Sequence, residues 1–65
     1  MQRFLSKAEV KALVKLSYTH TARLEEAGEF PKRIPLGPHQ TSRRVYLESE
    51  ILAWMTEQIQ RARPE

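Results

Sequence analysis

Cysteine is absent from this 65-residue chain. No disulfide, iron–sulfur cluster or thiolate zinc site can staple it. Small secreted scaffolds depend on such staples, so the composition points to a reducing interior and to a fold held by apolar packing alone. A chain of this size buries only about 60% of the surface that its unfolded form exposes. Ordering it costs roughly 1.5 kcal/mol per residue, which apolar burial must match. Apolar residues make up 40% of the chain. That is enough for one compact core, with residues 1–65 forming a single domain, and too little for a substrate pocket of roughly 300 Å³ or more. Charged residues at 29% and a net charge of +3 fit a folded domain rather than a disordered tail. The first residues lack the apolar run of a signal peptide, and no stretch approaches the roughly 20 apolar residues of a membrane span. The expected location is cytoplasmic, or nuclear in a eukaryote.

The charges are unevenly placed. Residues 1–24 carry Arg3, Lys7, Lys11, Lys15 and Arg23 against Glu9 alone. Glu25, Glu26 and Glu29 form an acidic stretch. Residues 31–47 carry Lys32, Arg33, Arg43 and Arg44 with no acid, and the remainder sets Arg61 and Arg63 against Glu48, Glu50, Glu57 and Glu65. Two basic blocks beside an acidic last third favour a polyanion on one side of the molecule. Ordinary solubilising charge is the plainer alternative.

Ser6-Lys7-Ala8-Glu9 has the spacing of a capping box, in which serine and glutamate each satisfy a free backbone donor of the other. Val10, Leu13 and Val14 follow at helical spacing, predicting a first helix over 7–14. Lys7, Lys11 and Lys15 then share a face away from Val10 and Leu13. Lys15-Leu16-Ser17 reads as a tight connection, with Ser17 capping a second helix over 18–27. Gly28 suits a left-handed residue after that helix, and Pro31 cannot continue it. Two short helices so joined fit a helix-turn-helix, although helical hairpins without DNA function share the spacing. At 100° per residue, Ser17, His20, Thr21, Leu24, Ala27 and Gly28 fall on one side of the second helix, and Tyr18, Thr19, Ala22, Arg23 and Glu26 on the other. Leu24 is the one large aliphatic side chain, so its side faces the core and the opposite side is free for a partner.

Ile34 and Leu36 alternate around Pro35, and Val45 and Leu47 around Tyr46. The turn-rich segment Gly37–Ser42 lies between them, so the pair reads as a two-stranded hairpin. Pro35 cannot donate to a ladder, which places its strand at an edge or makes it irregular. From Glu48 onward, Ile51, Leu52, Trp54, Met55 and Ile59 form an apolar stripe, predicting a third helix over 48–62. Glu48 and Glu50 near its start and Arg61 and Arg63 near its end suit the helix dipole. Trp54 on that stripe reads as a core residue.

Helix, tight turn, helix, hairpin, helix is the order of a small winged helix-turn-helix domain, mainly α with a two-stranded wing. The residues then become specific. Glu9-Val10, Leu16-Ser17, Arg23-Leu24, Gly28-Glu29-Phe30-Pro31, Leu36-Gly37 and Glu48-Ser49-Glu50-Ile51 with Trp54 resemble the AlpA family of phage and prophage regulators. The resemblance covers about residues 3–58. It implies kinship with MerR-type and excisionase-type DNA-binding domains and a role in regulating prophage genes, often through an excision system. The family's second helix reads close to Ser-Arg-Ser-Thr-Ile-Tyr-Arg-Leu, of which Ser17, Arg23 and Leu24 carry over. Tyr18, His20, Thr21 and Ala22 depart from it, which bears on the target sequence more than on the fold. Lys15 stands where a glycine is common in the turn. The family's arginine before the second wing strand aligns with Arg43 and its aromatic with Tyr46. Alternation alone would instead bury Val45 and Leu47, so the inward face of that strand stays open.

The expected function is sequence-specific binding of double-stranded DNA as a transcriptional regulator. The second helix enters the major groove, and the basic hairpin of about 32–47 lies on the backbone or in the minor groove. Arg23 is the first candidate for a base or phosphate contact, the alternative being an ion pair with Glu26 or Glu9. Tyr18 and Thr19 offer hydroxyls, and Ser17 is mainly a cap. His20 leans toward packing or local hydrogen bonding at the contact of the first two helices, the alternative being a DNA contact. In the hairpin, Arg43 and Arg44 come first, then Lys32, Arg33, His39 and Gln40, with at least one expected to be a bystander because alternate strand residues point opposite ways. The lysines of the first helix read as a solvated face more than as phosphate contacts. A second copy or a cooperative protein is expected to supply the rest of the specificity. No enzyme, metal, cofactor, membrane or small-molecule substrate is expected: the two histidines lack a metal-ligand spacing, aspartate is absent, and no glycine-rich phosphate loop exists. The alternatives are a protein-interaction adapter on the same fold, or an architectural, excisionase-like DNA-bending protein.

Overall fold

The computed structural model describes residues 2–38 and 43–63. Its elements run β1 (Phe4–Leu5), α1 (Lys7–Val14), α2 (Tyr18–Glu26), β2 (Ile34–Pro35), β3 (Arg44–Leu47) and α3 (Glu48–Ala62). Three helices and a small antiparallel sheet make a mainly helical winged helix-turn-helix.

The helix boundaries follow the local chemistry that predicts them. The Ser6 amide donates to Glu9 Oε1 at 2.8 Å and the Glu9 amide to Ser6 Oγ at 3.1 Å, which closes the capping box of α1. Lys15 ends α1 in the left-handed conformation, at φ 63°. Ser17 Oγ accepts from the His20 amide at 3.2 Å and starts α2. At the far end of α2, Gly28 takes φ 75°. Its amide reaches Glu25 O at 3.1 Å, and the Glu29 amide reaches Leu24 O at 2.8 Å. These two bonds form a Schellman motif, which satisfies carbonyls the helix would otherwise leave free.

The sheet differs from the expected two-stranded wing. β3 is its centre, in the order β1-β3-β2, with Ile34 opposite Val45, Pro35 opposite Arg44, Phe4 opposite Leu47 and Leu5 opposite Tyr46. Pro35 therefore sits in an edge strand, where its missing donor costs nothing. The third strand is β1. Two residues are too short to show a periodicity, and β1 is made by its partners. Leu47 offers no side-chain cap to α3. Instead the Glu48 amide donates to Arg3 O at 2.8 Å, and Arg3 Nη1 lies 3.1 Å from Glu48 Oε2.

Leu5, Val10, Phe30, Tyr46 and Ile51 form the buried core, with Val14, Leu24, Trp54 and Met55 packed around it. Phe30 meets the Tyr46 ring edge-on at 5.8 Å and the Trp54 ring at 4.8 Å. Trp54 Nε1 also donates to Glu29 O at 2.8 Å, so the indole is packed and hydrogen-bonded together. Val45 and Tyr46 are both buried, on opposite faces of the central strand, and Tyr46 joins the main core beside Leu5. That settles the inward face left open by alternation. Three residues of the predicted apolar stripes are corrected. Leu13 is exposed because α1 turns only Val10 and Val14, four residues apart, to the core. Leu52 and Ile59 are also exposed, because Ile51, Trp54 and Met55 use the inner face of α3. Among the described residues, no helix is long and apolar enough to cross a membrane.

Candidate nucleic-acid interface

Of the side of α2 that the wheel assigns to the core, Ser17, His20, Ala27 and Gly28 are exposed, and only Thr21 and Leu24 turn inward. Leu24 packs on the core and Thr21 is buried, its hydroxyl donating to Tyr18 O at 3.0 Å. Tyr18, Thr19, Ala22, Arg23 and Glu26 are exposed. Arg23 forms no ion pair among the described residues, so the pairing with Glu26 or Glu9 weighed against a ligand contact is not made. The Glu9 carboxylate is engaged by Ser6 instead. That amide bond first, then the Ser6 side chain, with smaller contributions from the charges of Arg3 and Arg43, holds the Glu9 pKa below its ordinary value.

The α1 lysines are not simply solvated. Lys7 and Lys11 each place Nζ 4.8 Å from the centroid of the Tyr18 ring. Their shared face thus meets the first residue of α2, and cation–π attraction holds two ammonium groups beside one phenol. Lys15 ends the helix with its backbone, and its side chain is exposed.

The wing is fastened to α2 by one carboxylate. Tyr46 OH donates to Glu25 Oε2 at 2.9 Å. Arg33 approaches Glu25 Oε1 with its amide at 3.2 Å and with Nε at 3.3 Å. The Glu25 side chain is 12% exposed, so this pairing is shielded from water. Burial, and then the hydrogen bond to Glu25, push the Tyr46 phenol above its ordinary pKa and keep it a donor. Arg44 projects from the same face of β3 as Tyr46, because strand residues two apart share a face. Arg43, Arg44 and Lys32 are exposed, whereas Arg33 is partly covered by its pairing. His39 and Gln40 lie outside the described residues. His20 is exposed rather than packed between the helices, in a shallow groove with Leu16, Leu24, Glu29 and Trp54.

Residues 3–59 match the family described as prophage CP4-57 regulatory protein (AlpA). The chain belongs to the AlpA family. The match covers all six elements except the last residues of α3. No curated protein and no solved structure matches the chain significantly. Membership places this AlpA-family chain among prophage regulatory proteins.

Two participants at this surface escape a reading by residue type. Glu25 sits in an acidic stretch that looks repulsive to a polyanion, yet its charge is spent on Arg33 and Tyr46. A helical wheel holds the clue: Glu25 is four residues after Thr21 and adjacent to Leu24, at the border of the core face. Pairing of Lys7 and Lys11 with Tyr18 depends on how α1 and α2 cross, which no spacing within either helix specifies.

Proposed function

We propose that this AlpA-family chain is a sequence-specific DNA-binding transcriptional regulator acting through one DNA-binding domain over residues 1–65. α2 lies in the major groove, and the wing rests on the backbone or in the minor groove. One observation carries the reading: Arg23 is exposed and free of ion pairs among the described residues, on a helix whose inner flank is tied to the wing through Glu25. An unpaired guanidinium offers the planar fork that reads guanine O6 and N7. Tyr18 and Thr19 contact phosphate or base edges at the start of α2, and Ser17 holds the amides of that turn. Arg43, Arg44 and Lys32 take phosphates. Arg33 is the bystander of the basic set, because its guanidinium serves Glu25. His39 and Gln40 extend the wing contact.

The test is DNA selection from a random library with the purified chain, followed by titration of the selected duplex across salt. Neutralising four phosphates gives a slope of log affinity against log salt of roughly −3.6. Arg23→Ala removes about 1–3 kcal/mol of discrimination at one base position, while Arg44→Ala weakens all sequences alike and lowers the slope by about 1. A slope near zero, or Arg23→Ala binding with unchanged preference, defeats the reading.

A further inference from the structure

The exposed apolar side chains of α3 form a line. Leu52 and Ile59 are 47% and 55% exposed. Seven residues apart, they lie two turns along one stripe, with Met55 along its inner edge and Thr56 along its outer edge. Glu57 and Arg61 project from the opposite side of the helix, where they pair with each other at 2.7 Å. The stripe begins at Glu48, the first residue of α3, and Arg63 stands at its far end as the C-cap, at φ −129° with its amide on the Ile59 carbonyl.

We propose that this stripe binds a second copy of the chain, with the two α3 helices antiparallel about a two-fold axis between Met55 and Thr56. That single axis satisfies two independent chemistries. It sets Leu52 against Ile59 of the second copy, and it brings Glu48 to the end of the seam where the second copy's C-cap carries Arg63, because positions 48 and 63 are equally far from the axis. A parallel arrangement would oppose Glu48 to Glu48 and Arg63 to Arg63. An isologous contact demands this kind of self-complementarity, each residue meeting its counterpart twice. Glu48 already accepts from Arg3 Nη1 at 3.1 Å, and a carboxylate has acceptor positions left for a second guanidinium. The 15 residues of α3 give a seam about 22 Å long. That is a small interface, so the dimer is weak, with a Kd on the order of 100 µM. The pairing does not depend on DNA, since α3 is not the helix assigned to the groove.

Sedimentation equilibrium of the full chain without DNA, from about 10 µM to about 1 mM, tests it. The wild-type chain passes from monomer to dimer across that range. Ile59→Glu, at an exposed position, keeps the circular dichroism spectrum and weakens association at least roughly tenfold. Glu48→Arg and Arg63→Glu each remain monomeric alone, and an equimolar mixture associates, because only the mixed pair has attractive charges at both ends. If Glu48→Arg misfolds through loss of its Arg3 contact, Arg63→Glu decides alone, since its side chain has no ion pair among the described residues. A wild-type chain that stays monomeric at 1 mM overturns the proposal and leaves the stripe to a different protein. Association that is indifferent to Ile59→Glu, or to Arg63→Glu, overturns it as well.

Discussion

Lys15 holds φ at 63°, a conformation that costs an ordinary L-residue about 1–2 kcal/mol. Lys15→Gly therefore raises stability, by about 0.5–1 kcal/mol once the extra freedom of glycine in the unfolded chain is subtracted, and urea denaturation measures the gain. Gly28 is the converse case. A Cβ there meets nothing within 4 Å, so Gly28→Ala is opposed by backbone conformation alone and lowers stability by about 1 kcal/mol. Tyr46→Phe removes the donor to Glu25 and leaves a shielded carboxylate oxygen without it, a loss of about 1–2 kcal/mol in the same assay. The raised pKa of Tyr46 fixes the sign of a pH effect. The folded state keeps the phenol protonated where the unfolded chain ionises, so this contribution is complete below the ordinary tyrosine value and is lost as pH rises beyond it.

At the scale of elements, α1 is eight residues long, too short to persist in isolation. Its capping box is what fixes where it begins. Because Glu9 titrates below its ordinary value when folded, the box stabilises fully above the ordinary carboxylate range and fades as pH falls through the depressed value. Glu9→Gln preserves the hydrogen-bonding geometry but cannot titrate. Acid titration followed by circular dichroism shows a shallower fall in stability for Glu9→Gln than for the wild-type chain. Between α2 and the wing, Glu25 ties the basic strand to the helix that carries Arg23. Glu25 and Arg33 thus hold the wing against α2. Arg33 shows that a basic residue can serve the fold as well as a surface, since its Nε pairs with Glu25 while its side chain stays 34% exposed.

For the whole molecule, Phe30 is the junction. It leaves the helix-turn-helix, meets Tyr46 of the sheet and Trp54 of α3, and is 4% exposed. Phe30→Ala costs about 3–5 kcal/mol. At roughly 0.05–0.15 kcal/mol per residue, a chain of 65 residues has roughly 3–10 kcal/mol of stability in total, so this one change removes about a third of it or more. Thermal unfolding of the variant therefore moves to a lower temperature as one transition, in which Trp54 fluorescence and far-ultraviolet circular dichroism change together. A circular dichroism signal of intact helices with only the wing lost would contradict a single shared core.

Sequence alone determined the elements whose ends are written in local chemistry. Ser6 with Glu9, Ser17 ahead of His20, Gly28 before Pro31, and the Ile51–Trp54–Met55 stripe each act within a few residues, so the starts of α1 and α2, the end of α2 and the existence of α3 follow from those signals. The Arg23 side of α2 was legible for the same reason, because one Leu24 suffices to orient a helix. Tertiary structure alone decided β1, which exists because β3 pairs with it and the Arg3 carbonyl caps α3. It also decided the burial of Tyr46, the service of Glu25 to Arg33, the closing of Lys7 and Lys11 on Tyr18, and the exposure of Leu13, Leu52 and Ile59. These depend on partners far away in the chain. Periodicity shows that a face is apolar, but only the packing of all the elements selects which part of that face the small core can cover.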